Sequence, residues 1–339
     1  MRSESLLGLL QQTEPIEGVE DAPCYFPIAH GRYDVKPGLF PFGTDFRNGA
    51  ADQQVFQCDR NFAHYRQIKR LARLERLSKY SQTCNLSDEV ATAIAQFIIH
   101  RLVQDQAQHY QVELHANEVN LHNGLTGDTL TLNANYQLRS VQGCPSPPYA
   151  STLDAVAAQV QEDFTIVSRT SKHHWISAIH LCFPNHWSAE EKIGKSFAAI
   201  HAPVAGMEKL NRRGDAIVHT MINHKPMVRF AWGLSTDTRL NHHPVSPSSV
   251  PSNVWQGRHF EAHNPSLYLR IERQVIWGFP NVDAALFTIR TYFRDCRMLK
   301  QDPVLRSKLV TAIQSMTLDS LVYKGLEDSK TAILKWLDE

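Results

Sequence analysis

Five strand-like segments in the second half of the chain most constrain its fold. Each is rich in β-branched and apolar residues and is bounded by turn-forming residues, at 165–168, 175–183, 227–234, 268–277 and 284–292. Several are separated by turns or short connections. We therefore expect an antiparallel meander at the centre of the fold.

Helical patterns flank these strands. Apolar residues recur at helical spacing in 62–77 and 86–110, which predicts two helices. In 128–138 apolar and polar residues alternate, which predicts a half-buried strand. Ser151 caps a further predicted helix, and the tail from Pro303 carries two helical patterns. Leucines in 6–10 predict a short amphipathic helix, and the polar segment 235–266 predicts a lid, a binding loop or disorder.

These patterns together predict the α/β (α+β) class. We divide the chain into an N-terminal wrapping and helical region (1–150), a core (151–300) and a C-terminal helical tail (301–339), packed as one compact unit.

Composition excludes several function classes. The 35 Lys and Arg residues nearly balance 34 Asp and Glu residues, which argues against general attraction to nucleic acid or to an anionic membrane. No run of 18 apolar residues and no secretion signal is present, and the six scattered cysteines form no CxxC pair. We expect a cytoplasmic protein with reduced, mostly buried thiols.

Motifs for familiar chemistry are missing from the sequence. It contains no GxGxxG, GxxxxGK[ST], GxSxG or HExxH motif. Among the 17 histidines, His259 and His263 stand four apart, and 173–174 and 242–243 are adjacent pairs. For all of these we favour surface or capping roles over metal ligation.

Two charged patterns leave structural and functional alternatives open. The predicted helix 62–77 carries a basic face (Arg66, Lys69, Arg70, Arg73, Arg76), for which a solvated surface is favoured over a phosphate or partner site. In 268–276, strand alternation places Arg270, Glu272 and Gln274 on one face and Arg273 on the other. Charges on both faces require either a structural ion-pair network or a working site.

His201 is the best candidate for a cofactor ligand. It precedes Ala202, whose backbone the following Pro203 biases towards an extended conformation, and its neighbours are apolar. A histidine on such a segment is suited to binding haem iron if its other ring nitrogen has an acceptor. A buried histidine that serves only the core is the more frequent alternative.

Several segments, in this order, resemble the haem-dependent oxidative N-demethylase alpha-subunit family. They are CDRNFAHYRQIKR (58–70), EDF (162–164), LCFPNHW (181–187), EKIGK (191–195), IHAPV (200–204), RFAW (229–232), LRIERQ (269–274) and ALFTIRTY (285–292). The sequence departs from the family pattern at Ala205 and Ala231. Met227, two residues before Arg229, supplies no acid for an amine cation.

The resemblance implies a PAS-like haem b core, with a curved antiparallel sheet and helices on one side. It also implies O2-dependent oxidation of an N-methyl group of a small amine, with formaldehyde as a product and electrons from a separate flavin/NAD(P)H reductase. A non-catalytic haem or small-ligand sensor on the same fold is the alternative, and a binding protein with an empty pocket is a third.

The resemblance also implies roles for individual residues. His201 is the expected iron ligand, with Glu272 as the partner of its second nitrogen. Arg229 is expected near bound oxygen or a haem propionate, and Trp232 is expected in the pocket wall. We take Arg270, Arg273 and Lys195 as further cofactor-binding residues.

Overall fold

The computed structural model describes residues 14–143, 145–248, 250–256 and 259–339. In this part of the chain the fold is mixed α/β, with antiparallel sheets of seven and four strands. The helix predicted from the leucines in 6–10, and Cys144, lie outside the described residues.

The described strands are β1 (Phe40–Pro41), β2 (Ser81–Thr83), β3 (Tyr110–His115), β4 (Glu118–Asn123), β5 (Asp128–Asn133), β6 (Leu138–Gln142), β7 (Asp163–Arg169), β8 (His174–His180), β9 (Met227–Ser235), β10 (Tyr268–Phe279) and β11 (Ala284–Asp295). The helices are α1 (Phe62–Tyr80), α2 (Asp88–Asp105), α3 (Thr152–Ala157), α4 (Ala189–Lys192), α5 (Phe197–His201), α6 (Glu208–Asn211), α7 (Gly214–Asn223), α8 (Ser252–Gln256), α9 (Cys296–Gln301), α10 (Pro303–Gln314), α11 (Leu318–Lys324) and α12 (Lys330–Asp338).

The five predicted core strands are confirmed as β7 to β11, but their order is not a simple meander. The seven-stranded sheet runs β1-β9-β10-β11-β7-β8-β2, so β8 and β9 are not neighbours. The connection between them is long and contains α4 to α7, so β9 does not return directly beside β8. The hairpin β7–β8 instead pairs through β7 with β11.

The strand predicted at 128–138 is two strands. Leu130 and Leu132 are buried as the alternation predicts. The Asn133 side-chain oxygen then accepts hydrogen bonds from the backbone N–H groups of Asn135 (3.0 Å) and Gln137 (2.9 Å). This side chain closes the turn between β5 and β6 and ends the alternation.

The basic face of α1 is neither fully solvated nor a phosphate site. The Lys69 ammonium is buried and donates to the Ala157 carbonyl oxygen at 2.8 Å. The buried Arg73 guanidinium donates to both oxygens of Asp154, at 2.8 and 2.9 Å. The favoured solvated-surface interpretation is therefore wrong for these two residues, because α3 and the strand that follows it lie against them.

The two faces of the seven-stranded sheet pack against different helices. One face carries Val228, Val275 and Leu286 and shares an apolar core with α2 and the four-stranded sheet. The other face carries Ile276 and Ala285 and packs on α7. We call this second surface the α7 face.

The close approach of α7 depends on Gly278 of β10. A Cβ atom at this position would lie 2.1 Å from the Ile222 carbonyl oxygen, far inside van der Waals contact. A glycine is required here because the helix backbone lies directly on the strand.

The segment 235–266, predicted to be a lid, a binding loop or disorder, is packed into the body in its described part. Arg239, Leu240 and Trp255 are buried, and the Trp255 indole donates to the His243 carbonyl oxygen at 2.6 Å. His242 and His243 are also buried, so the predicted surface role is wrong for this pair. His259 and His263 are exposed, as predicted.

Among the described residues, no helix is both long and apolar enough to cross a bilayer. The described cysteines are all free thiols, of which Cys182 and Cys296 are buried.

Replacement of Asp59 by Asn tests the buried polar network. Asp59 pairs with Arg290 between two fully buried side chains, so the substitution leaves a buried guanidinium short of its counter-charge. We expect the free energy of unfolding to fall by about 3–5 kcal/mol in urea titrations. The same change at Asp34, whose ion pairs are exposed, is expected to cost less than about 1 kcal/mol. Equal effects at both positions would contradict this assignment.

Candidate functional site

His201 ends the short helix α5. Ser196 caps this helix by accepting a hydrogen bond from the Ala199 backbone N–H at 3.4 Å. Ala202 follows in the right-handed helical region, and the Val204 N–H closes a turn on the His201 carbonyl oxygen at 3.0 Å. The extended backbone predicted at Ala202 is therefore wrong, because local hydrogen bonding overrides the bias from Pro203.

The His201 ring is held in one orientation. Its Nδ1 lies 2.8 Å from the Phe197 carbonyl oxygen, and the two rings are 4.3 Å apart between centroids. A carbonyl only accepts, so Nδ1 carries the proton and Nε2 of the neutral ring has a free lone pair. Among the described residues, Nε2 has no hydrogen-bond partner.

The environment of His201 favours the neutral ring. Burial lowers its pKa below the ordinary value, the hydrogen bond to Phe197 acts in the opposite direction, and the charges of Arg229 and Lys192 lower the pKa further. A neutral imidazole is the form that binds a metal ion.

Arg229, Glu272 and Gln274 lie on the α7 face beside this histidine. Arg229 of β9 pairs in register with Gln274 of β10, and Glu272 lies two residues from Gln274 on the same side of the strand. The Gln274 side-chain amide donates to Glu272 Oε2 at 3.0 Å. The alternation predicted for β10 is thus confirmed.

Arg229 is half-buried and differs from the buried arginines of the sheet. Burial lowers its pKa, and the negative charge of Glu272 partly offsets that effect. Its Nε is inaccessible to solvent and has no hydrogen-bond partner. In the described part of the chain its guanidinium forms no ion pair, so it can receive an acceptor from a ligand.

Glu272 does not bond the second nitrogen of His201 as the resemblance implied. That nitrogen, Nδ1, donates to the Phe197 carbonyl oxygen instead. His201 reaches this carbonyl readily because it lies four residues after Phe197 in the same helix. Glu272 instead bonds Gln274, and its Oε1 lies 3.9 Å from Arg270 Nε.

Arg270 lies on the α7 face but is engaged by the protein. Its guanidinium donates to the Phe183 carbonyl oxygen at 2.8 Å and to the Leu240 carbonyl oxygen at 3.2 Å. It also donates to His242 Nδ1 at 3.2 Å, and His242 Nε2 donates to Asp237 at 2.9 Å. Burial is the main reason that the pKa of His242 falls to about 4.

Three of the predicted site residues do not lie beside His201 in the described part of the chain. Arg273 points to the opposite face of the sheet and donates to the Gln54 carbonyl oxygen at 2.8 Å. Trp232 lies on that same opposite face and packs edge-on against Tyr33, with ring centroids 5.7 Å apart. Lys195 is exposed, in the connection between α4 and α5.

A second cluster with metal-ligand chemistry lies between β7 and β8. Ligand atoms of Asp163, His180 and Cys182 lie within 4.8 Å of one another, and all three residues are buried. However, Asp163 accepts backbone N–H bonds from Cys182 (2.9 Å) and Phe183 (2.6 Å), and the Lys69 ammonium is 4.0 Å away. These contacts satisfy the carboxylate and oppose a cation, so the cluster has a structural role.

The sequence analysis missed two residues of the candidate site. Phe197 supplies the carbonyl that orients His201, and Gln274 supplies a buried side-chain oxygen, Oε1, that has no partner. Alternation along β10 had placed Gln274 beside Glu272, so a signal existed for it. The Phe197 contact depends on backbone geometry and had none.

These residues fit a haem group. A neutral histidine with a fixed orientation and a free Nε2 can bind iron, and a half-buried arginine without an ion pair can bind a carboxylate. Phe197, Ile200 and Met227 pack at the edge of the same apolar cluster, as the hydrophobic macrocycle requires.

Comparison with known proteins identifies the family. The model of the family described as haem-dependent oxidative N-demethylase, alpha subunit-like, matches residues 48–334. The match includes α5, β9 and β10, and therefore His201, Arg229 and Glu272. Because it covers most of the 339 residues, the chain belongs to the haem-dependent oxidative N-demethylase, alpha subunit-like family.

Proposed function

We propose that this chain binds haem b through His201 Nε2 and oxidises an N-methyl group of a small amine with O2. The observation that carries the proposal is the geometry of the His201 ring, whose Nδ1 donates to the Phe197 carbonyl oxygen and whose Nε2 has no partner among the described residues. The family to which the chain belongs is named for haem-dependent oxidative N-demethylation.

The order of the central strands supports this proposal, which includes a PAS-like core. The five central strands, numbered along the chain from β7, stand side by side in the order 2-1-5-4-3, with helices inserted between the second and the third. The resemblance implies helices on one side of the sheet, whereas here both faces are covered, one by α7 and the other by α2 and the four-stranded sheet. The three-part division of the chain stays a prediction.

The overall reaction consumes one O2, two electrons and two protons. It converts the N-methyl amine into the demethylated amine, formaldehyde and water, through a carbinolamine that collapses in the last step. Haem supplies the activation of O2 when it is bound. The two electrons come from a separate flavin/NAD(P)H reductase in this proposal.

The residues of the chain have distinct roles in this scheme. The Phe197 carbonyl holds the proton of His201 Nδ1 and thereby fixes the ring. Arg229 presents a positive charge on the α7 face, and the Glu272 carboxylate offers a negative charge for an ammonium group. Trp232 and Arg273 have no role in the chemistry because they lie on the opposite face.

Replacement of His201 by Ala tests the ligand assignment. We expect haem content, measured by the Soret band and by iron analysis, to fall by about tenfold or more because the iron loses its protein ligand. His224→Ala removes an exposed histidine near the end of α7 and should retain haem. Stoichiometric haem in the His201 variant would sink the assignment. Haem without turnover in the unaltered chain would favour the sensor function.

Replacement of Arg229 by Gln tests the electrostatic link to His201. Removing this positive charge should raise the pKa of His201 towards its ordinary value of 6.5, while burial keeps it below that value. NMR titration of the imidazole in the haem-free protein measures the change. Lys225→Gln, at an exposed lysine just before β9, is the matched control and should leave the pKa unchanged. An unchanged pKa in the Arg229 variant would show that the two groups are not coupled.

A further inference from the structure

Arg229 has less negative charge near it than Arg270, the other arginine of the α7 face. The Glu272 carboxylate acts on both Arg270 and Arg229, and it lies closer to Arg270, at 3.9 Å from its Nε. Arg270 is also influenced by Asp163 and Asp237, whereas Glu272 is the one charge that raises the pKa of Arg229. The Arg229 guanidinium therefore favours an anionic ligand group beside it.

Gln274 presents a fixed acceptor beside this guanidinium. Its amide nitrogen donates to Glu272 Oε2 at 3.0 Å, so a flipped amide would oppose its oxygen to a carboxylate. Its oxygen is thereby directed away from Glu272, and it is buried without a partner. An unsatisfied buried acceptor of this kind favours a ligand with an N–H group.

The two unsatisfied groups lie side by side on the sheet. Arg229 and Gln274 are register partners on adjacent antiparallel strands, so their Cβ atoms are neighbours on one face. A single small ligand that carries an anionic group and an N–H group would therefore satisfy both side chains. Glu272, next along the same face, supplies the counter-charge for a cationic nitrogen.

We propose that the substrate is an N-methylated amino acid, whose carboxylate binds Arg229 and whose N–H group binds the Gln274 side-chain oxygen beside Glu272. This inference rests on the proposed function and narrows it from small amines in general to zwitterions. A simple dialkylammonium ion carries no anionic group for Arg229 and would lie next to an unbalanced positive charge. For N-methylglycine, the products are glycine, formaldehyde and water, with the same consumption of O2, electrons and protons.

The carboxylate chemistry at Arg229 has a second source, which is a haem propionate. A propionate satisfies Arg229 but brings no N–H group to Gln274. The two sources of the carboxylate therefore make different predictions for Arg229 and Gln274. The substrate would bind both residues, whereas the propionate would bind Arg229 alone.

Calorimetric binding to the purified full-length chain, expressed with adequate haem, separates these cases. The probes are N-methylglycine, dimethylamine and acetate, and haem content is measured on each sample. We expect N-methylglycine to bind at least about tenfold more tightly than dimethylamine, because it adds a charge-assisted contact. Arg229→Gln should remove this preference, and Arg229→Lys should restore part of it. Lys225→Gln should leave the affinities for both N-methylglycine and dimethylamine unchanged.

Gln274→Met tests the second contact with a side chain of similar size. It should weaken the binding of N-methylglycine by about tenfold and leave the binding of acetate unchanged, because acetate carries no N–H group for the Gln274 oxygen. The same variant also loses the hydrogen bond that Gln274 donates to Glu272. Thermal melting of each variant verifies that it is folded. If Arg229→Gln lowers haem content while both probes bind equally to the unaltered chain, Arg229 serves a propionate and the inference is overturned.

Failure of the proposed function gives a different result. If the unaltered chain takes up no haem, the proposed function fails, and calorimetry with N-methylglycine still decides the inference about Arg229 and Gln274. If haem is stoichiometric but dimethylamine binds as tightly as N-methylglycine, the inference fails while the haem assignment stands.

Discussion

The buried charges of β10 determine how the rest of the chain is arranged around the sheet. Arg270 and Arg273 are both almost inaccessible to solvent, yet they project from opposite faces of this central strand. A buried guanidinium is tolerated only when acceptors surround it. Each face of the sheet must therefore bring carbonyl or carboxylate oxygens to β10, and the segments that supply them are otherwise irregular.

On one face, the acceptors come from the N-terminal segment before α1. Gln54 supplies its carbonyl oxygen to Arg273, and Asp59 pairs with Arg290 of the neighbouring strand. The segment is anchored in turn by its own N–H groups, because Gln57 donates to Glu162 Oε1 at 2.9 Å and Asp59 donates to Gln161 at 2.9 Å. Polar contacts thus fix this stretch of the region that the sequence predicted only to wrap and to form helices.

On the α7 face, Arg270 collects the carbonyl groups of two connections. Phe183, in the connection after β8, and Leu240, in the segment after β9, both accept from it. The segment 235–266 is packed in its described part because its backbone satisfies this buried charge. Both connections are drawn to one end of the face, while Arg229 and Gln274 lie nearer the end at which α7 packs on Gly278.

Sequence patterns predicted the features that depend on residues close together in the chain. The period of two along β10 correctly separated Glu272 from Arg273, and the Ser151 cap of α3 was visible from residue type. Strand order was not predictable in this way, because pairing β7 with β11 depends on contacts distant in sequence. The burial of Lys69 was missed because helical periodicity assigns a face without showing what lies against it.

The arginines of the sheet differ in how the protein binds their guanidinium groups. Arg270, Arg273 and Arg290 each leave Nε without a partner, but the terminal nitrogens of each are anchored to protein oxygens. Arg229 leaves Nε unsatisfied as well, and in the described part of the chain its terminal nitrogens have no such anchor. Arg229 is half-buried, and among the described residues no protein oxygen binds its guanidinium, which agrees with the ligand role that we propose for it.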